Sequence, residues 1–266
     1  FKIVTAAAAL DSGKVDLDWS YQDVGQLEYG GVKIRNSNGA SYGQQDLEGL
    51  LAHSLNVGAA TLSTRVMGAE EFYAYVRAFG FGRSTGVEVT GEAAGTVHLP
   101  TDWDWADSYL ATNSFGQGIA ATPLQMATAV AAVANDGVMM QPHLIAERVY
   151  ADGRQVEIPP RSLGEPISEA TAQQLTELLA RAVEREMTAA QVPGYRIAGK
   201  SGTAQIPASG GYDPEDVIVS FVGYGPLPDP RVLILVKLDR PDVAPSLRWG
   251  THTAAPVFSD VAARVF

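Results

Sequence analysis

The order of its secondary-structure signals constrains this chain more than any single motif does. Helix-like patterning dominates up to about residue 186, three β-rich runs follow, and a helix-like segment closes the sequence. Segregated helices and strands, as opposed to alternating strand–helix units, point to an antiparallel sheet covered by helices. The β-rich runs are Arg196 to Ile206, Ile218 to Tyr224 and Val232 to Asp239, and Leu227-Pro228-Asp229-Pro230 is the turn that makes the last two a hairpin. Ala254 to Phe266 reads as the closing helix, started by Pro256. Upstream, Thr122 is an N-cap, Pro123 suits the first turn, and Leu124 to Asn135 form a helix body that stops at Asp136-Gly137. Ser168 caps a helix over Glu169 to Glu186 that carries Leu175, Leu178, Leu179 and Val183 on one face. Asp46 to Ala52, Val57 to Met67 and Glu70 to Phe79 are further helices. No internal repeat or low-complexity linker divides the 266 residues, which suffice for one domain with a sizeable core.

Phe1 to Leu10 is alanine-rich, helical by propensity and stopped by Asp11-Ser12-Gly13. Its apolar run is too short to span a bilayer, and it lacks the charged flank and cleavage pattern of a signal peptide. Nothing ahead of Phe1 can cap the helix, so the expectation is a chain whose upstream segment is missing.

Composition excludes several function classes. Thirty acidic residues against nineteen basic ones give a net charge of −11, so no basic stripe meets a phosphate backbone and no nucleic-acid partner is expected. Without cysteine there is no thiol catalysis, thiolate metal site or disulfide. His53, His98, His143 and His252 lack ligand spacing, and Asp102-x-Asp104-x-x-Asp107 has neither the turn glycine nor the distal glutamate of a calcium loop. Gly116-x-Gly118-x-x-Ala121 lacks the preceding strand of a dinucleotide site. Neither a metal nor a cofactor is expected.

Three segments carry candidate chemistry: Lys2 at the head of the first helix, Ser54-x-Asn56 between two helices, and Lys200-Ser201-Gly202-Thr203 on a strand. Singly, each has an ordinary reading. These are a solvated lysine, a cap or Asx-turn for the helix from Val57, and a charged edge strand. Together, in this order and spacing, they resemble the S-x-x-K, S-D-N and K-T-G signature of the penicilloyl-serine acyltransferases. The likeness extends over almost the whole chain. It includes Gly80-Phe81-Gly82 with Thr85-Gly86, Gly91-Glu92-Ala93-Ala94-Gly95, and the long stretch from Asn113 through Phe115-Gly116-Gln117-Gly118 to Ala127. Val219-Ser220-Phe221-Val222-Gly223-Tyr224 and Thr253-Ala254-Ala255-Pro256-Val257-Phe258 belong to it as well. The chain thus resembles the transpeptidase domain of penicillin-binding proteins, most of all the monofunctional class B type.

That resemblance implies an α/β fold of α+β type over residues 1–266, with a five-stranded antiparallel sheet flanked by helices and an all-helical lobe. It implies a D,D-transpeptidase that cross-links peptidoglycan stem peptides ending in acyl-D-Ala-D-Ala through a serine acyl-enzyme, and that β-lactams inhibit. The nucleophilic serine would lie three places before Lys2, upstream of Phe1, which leaves the chain as it stands inert. Lys2 would be the general base. Ser54 would bridge Lys2 and Lys200 and pass a proton to the leaving amine, and Asn56 would orient the substrate carbonyl and the Lys2 ammonium. Lys200 would supply positive potential, the Ser201 and Thr203 hydroxyls would hold the terminal carboxylate, and Gly202 would leave the strand bare for an extended peptide. A glycosyltransferase partner and a site on the extracytoplasmic face of the bacterial membrane, anchored from upstream, are further implications. A β-lactam sensor or an inactive scaffold with the same fold is the alternative. A β-lactamase would need a deacylating base that no residue identifies.

Overall fold

The computed structural model describes residues 1–208 and 211–266, with side chains outside 207–215. The apolar run at the start becomes helix α1 (Lys2–Asp11), in which every residue from Lys2 to Leu10 is buried. A helix without a polar face is stable only when it is enclosed. Ala6 to Ala9 are wholly inaccessible, and their small side chains let neighbouring helices approach closely.

Four short strands follow: β1 (Ser20–Asp23), β2 (Gln26–Tyr29), β3 (Val32–Arg35) and β4 (Gly43–Asp46). β1 pairs with β4 and β2 with β3, both antiparallel. Asp46, expected as the first helical residue, instead accepts from Gly49 N at 2.7 Å and caps α2 (Leu47–Ala52). The single helix expected from Val57 to Met67 is instead α3 (Asn56–Thr61) followed by a π turn over Leu62–Met67. Hydroxyl groups account for the difference. Thr61 Oγ1 donates to Val57 O at 2.8 Å, while Ser63 Oγ and Thr64 Oγ1 both donate to Ala60 O, at 3.2 and 2.6 Å. Carbonyls claimed by side chains are lost to the regular ladder, and the helix widens.

α4 (Ala69–Ala78), β5 (Thr96–Val97), α5 (Ser108–Asn113), β6 (Ile119–Ala120) and α6 (Pro123–Ala134) come next. β7 (Met139–Met140), β8 (Glu147–Val149), β9 (Gln155–Glu157) and β10 (Ser162–Gly164) form the small pairs β7–β10 and β8–β9. Helix α7 (Glu169–Glu186) leads into β11 (Ala198–Ala208), β12 (Gly211–Gly225) and β13 (Val232–Asp239), and α8 (Ala254–Val265) closes the chain. α1 lies against α2, α3, α4, α6 and α7 and so forms the axis of the helical half.

The main sheet has the order β11-β12-β13, antiparallel throughout. Of the five strands that the resemblance implies, the described residues hold these three. Strand alternation assigns its two faces. Phe221 stacks on Phe258 of α8 with centroids 4.8 Å apart, so odd-numbered residues of β12 face α8. Tyr224 reaches Thr176 of α7 at 2.8 Å, so the even-numbered ones face the helical half.

Gln125, only 2 % exposed, joins three segments. Its side-chain oxygen accepts from Thr122 N at 2.8 Å, and Thr122 Oγ1 accepts from Gln125 N at 3.1 Å, which completes a capping box. Its amide nitrogen donates to Arg83 O and Ala94 O, both at 2.7 Å. Removing it leaves one N–H and two carbonyls without buried partners. Gln125→Ala is therefore expected to lower the unfolding free energy by about 3 kcal/mol. Urea denaturation checks this, and a loss below about 0.5 kcal/mol contradicts the role of the hub.

Candidate active site

Two of the candidate residues are buried lysines, one on a helix and the other on a strand. Lys2 starts α1 and is 9 % exposed, and Lys200 lies on β11 and is 5 % exposed. Lys200 pairs with Val222, so strand alternation turns its side chain to the helical face of the sheet, toward α1 and α7. Among the described residues neither ammonium has a carboxylate partner. Burial lowers the Lys2 pKa from 10.5 to about 8. Burial, and then the positive charge of Lys2, lower that of Lys200 to about 7. Lys2 thus acts electrostatically on Lys200, although no hydrogen bond joins the two side chains among the described residues.

Each lysine is positioned by specific contacts. The Lys2 Nζ stands 5.8 Å from the centroid of the Phe115 ring, within reach of a cation–π attraction. Thr5, one turn along, donates to Ser114 O at 2.6 Å and ties α1 to the segment that carries that ring. Phe1 packs on Phe81 with centroids 4.9 Å apart and seals the flank. Lys200 Nζ donates to Ser201 O at 3.1 Å and to Ser201 Oγ at 3.3 Å.

Ser54 sits in the turn between α2 and α3, which both lie against α1. Leu55 N donates to Leu50 O at 3.0 Å, so Ser54 is the residue just past a helix end. Its φ of 57° is left-handed, a conformation that glycine usually supplies there. No hydrogen bond joins its hydroxyl to either lysine among the described residues. Asn56 is the first residue of α3, not its cap. Its Nδ2 donates to Arg35 O at 2.9 Å, which leaves its carbonyl oxygen to face a ligand or an ammonium. The capping role passes to Asn36, whose Oδ1 accepts from Val57 N at 3.2 Å. Asn36 is 4 % exposed and also donates to Asp23 and to Ala40 O.

Ser201 and Thr203 lie opposite Phe221 and Val219, and Gly202 opposite Ser220. Gly202 therefore shares the face of Lys200, and the two hydroxyl residues share the other. Thr203 Oγ1 accepts from Gly250 N at 3.2 Å. A Cβ on Gly250 would collide with the backbone of Gly202 and Ser220, so only glycine lets this loop lie on the sheet.

Sequence reading assigned no role at the site to Phe115, Thr5, Asn36 or Gly250. Phe115 and its neighbours were visible only as part of the family likeness, and the other three act through backbone contacts that no pattern encodes. The structure also brings His98, Asp102 and Asp104 together, with ligand atoms within 4.8 Å of one another. The expectation of no metal rested on sequence spacing, which does not reveal this cluster. His98 Nδ1 lies 3.1 Å from Asp104 Oδ2, and Asp102 Oδ2 accepts from Leu99 N at 2.8 Å, so a side-chain contact and a turn account for the arrangement.

A buried amine with a pKa near neutrality, beside a second amine and hydroxyl groups, can accept and return a proton during acyl transfer. The model of the penicillin binding protein transpeptidase domain matches residues 1–263. Penicillin-binding protein PbpB of Mycolicibacterium smegmatis is 36 % identical over 98 % of this chain and 41 % of its own length. The probable peptidoglycan D,D-transpeptidase PenA of Neisseria meningitidis is 31 % identical over 96 % of this chain and 41 % of its own length. The crystal structure of penicillin binding protein 3 from Mycobacterium tuberculosis in complex with ampicillin superposes with a TM-score of 0.89 at 36 % identity. That match covers 99 % of this chain and 60 % of the other. The chain spans about two fifths of the length of the curated relatives.

The lysine pair makes stability depend on pH. An unfolded lysine titrates near 10.4, so from about pH 7 upward the unfolded chain binds more protons than the folded one and stability climbs. Burial raises the pKa of Tyr21, Tyr73, Tyr75 and Tyr224, which acts oppositely above about pH 10. Between pH 7 and 9 the unfolding free energy should rise by about 3 kcal/mol more than in the Lys2→Met/Lys200→Met double variant. Urea titration at each pH measures this, and parallel profiles contradict it.

Proposed function

Because the chain belongs to the penicillin-binding protein transpeptidase family, in its class B branch, we propose that it carries the acyl-transfer site of a D,D-transpeptidase. The observation that supports this best is the pair of buried lysines without a counter-charge among the described residues, one leading a helix and the other on a strand. In this reading the nucleophile is a serine three positions before Lys2, one helical turn away and on the same face. Lys2, held near neutrality, takes the serine proton as the hydroxyl attacks the penultimate D-Ala carbonyl. Ser54 relays a proton to the departing D-Ala amine, and the free Asn56 oxygen accepts from the substrate amide or from Lys2. Lys200 draws the terminal carboxylate to β11, and the Ser201 hydroxyl, 3.3 Å from its Nζ, and the Thr203 hydroxyl meet that carboxylate around the strand from its other face. The backbone N–H of Thr203 and that of the serine form the oxyanion hole, where losing one donor costs roughly 3 kcal/mol of transition-state stabilisation.

The substrate class is peptidoglycan stem peptides ending in D-Ala-D-Ala, and β-lactams are the matching acylating inhibitors. The ampicillin complex of the related protein supports that pairing. Such a site works on the extracytoplasmic face of the membrane, where a glycosyltransferase partner supplies glycan strands. Among the described residues no helix is long and apolar enough to cross a bilayer.

The test is covalent labelling by a fluorescent penicillin of the chain carrying its upstream serine, set beside D-Ala release from a D-Ala-D-Ala donor. A sensor with this fold would be labelled but would not turn over the donor. Ser54→Gly is expected to keep stability within about 1 kcal/mol of the parent, because glycine suits the left-handed turn. The same change is expected to slow acylation about 100-fold or more by removing the proton relay. Labelling at the parental rate in that variant removes Ser54 from the mechanism.

A further inference from the structure

A cavity of about 280 Å³ between the turn at Phe79–Thr85, α6 and the β7–β10 pair takes no part in the site above. Its floor is apolar, made by buried Phe79 and Met139 with half-buried Leu163. The polar groups of the floor are already committed. Thr85 Oγ1 donates to Glu92 Oε1 at 2.6 Å and Thr128 Oγ1 to Leu124 O at 2.8 Å, while the Gln125 amide serves the two carbonyls described earlier. The rim differs. Arg83 and Arg161 both line the cavity and are exposed, and neither guanidinium has a hydrogen bond or a carboxylate partner among the described residues. Ser162 Oγ accepts from Gly164 N at 3.1 Å, which leaves its O–H free to donate. The Ser84 hydroxyl on the rim is also uncommitted. No Asp or Glu lines this cavity, although acids outnumber bases thirty to nineteen in the chain.

Free donors gathered over an apolar floor, with no carboxylate in the lining, define the complement of an amphiphilic anion. A guanidinium presents a planar fork that matches phosphate bidentately, and two forks with two hydroxyls suit the three terminal oxygens of a phosphate better than the two of a carboxylate. The volume exceeds that of a phosphate ion and leaves room for a small apolar substituent on the floor. We propose that this cavity binds a phosphate monoester bearing a short apolar group. The same chemistry occurs in soluble organic phosphates and in phospholipid headgroups.

The test is calorimetric titration of the full chain with phenyl phosphate, with benzoate for comparison. A parallel sedimentation assay uses phosphatidylcholine vesicles with and without phosphatidic acid. Binding of one equivalent of phenyl phosphate is expected, at least tenfold tighter than benzoate. Arg83→Gln and Arg161→Gln should each weaken it at least tenfold, and Arg77→Gln, an exposed arginine outside the cavity, should leave it unchanged. Capture by phosphatidic acid vesicles alone, with the same dependence on both arginines, supports the site and assigns the ligand to a lipid. The proposal is overturned by no saturable binding in either assay, or by binding that survives either arginine substitution.

Discussion

The chemistry of the site depends on two ammonium groups held out of water with no carboxylate beside them among the described residues. A buried charge of that kind normally acquires a partner or loses its proton. Here the described residues supply no salt bridge and the fold leaves little solvent, so the proton is loosely held. The rest of the structure can be understood as what makes this arrangement tolerable. α1 is enclosed on every side by α2, α3, α4, α6 and α7, so Lys2 has no route outward. β11 is anchored to β12 over a long antiparallel register, so the Lys200 side chain cannot turn to the other face without moving the strand.

Rigidity around the pair comes from close backbone approaches as well as from side-chain packing. Gly223 lies directly under the Phe258 ring, where a Cβ would overlap it, and this lets α8 sit down on the sheet over β12 and β13. Gly250 does the same for the loop that meets Thr203. On the helical side Gln125 ties the start of α6 to two turns, and Asn36 ties the start of α3 to the β1–β4 region. Ser54 bears the visible local cost. It holds a left-handed conformation between two helices, where glycine would be easier.

Periodicity and punctuation made the long elements legible, while the two- and three-residue strand pairs between α4 and α7 carry no such pattern. The α7 boundaries, the Thr122–Pro123 start of α6 and the β12–β13 hairpin follow from capping residues and alternation. The π turn after α3 was not legible, because it arises from three hydroxyls competing for backbone carbonyls within a stretch whose apolar pattern still looks helical. At the site, motif spacing identified both lysines, and the structure buries both. It does not show the bridging hydrogen bonds expected of Ser54, and it occupies the Asn56 nitrogen with Arg35 O. Phe115, Thr5 and Gly250 escaped notice because their roles are set by residues more than forty positions away. The His98–Asp102–Asp104 grouping escaped for a different reason, as a mixed donor set on an irregular loop has no fixed spacing.

The central claim is electrostatic, and it can be read directly at the two side chains. Carbon-detected NMR titration of the Lys2 and Lys200 Cε resonances follows each ammonium through pH 5 to 11. The account predicts midpoints near 8 for Lys2 and near 7 for Lys200, the latter moving upward in Lys2→Met as a neighbouring charge is removed. Midpoints at the ordinary lysine value of about 10.4 for both, unmoved by that substitution, would contradict it.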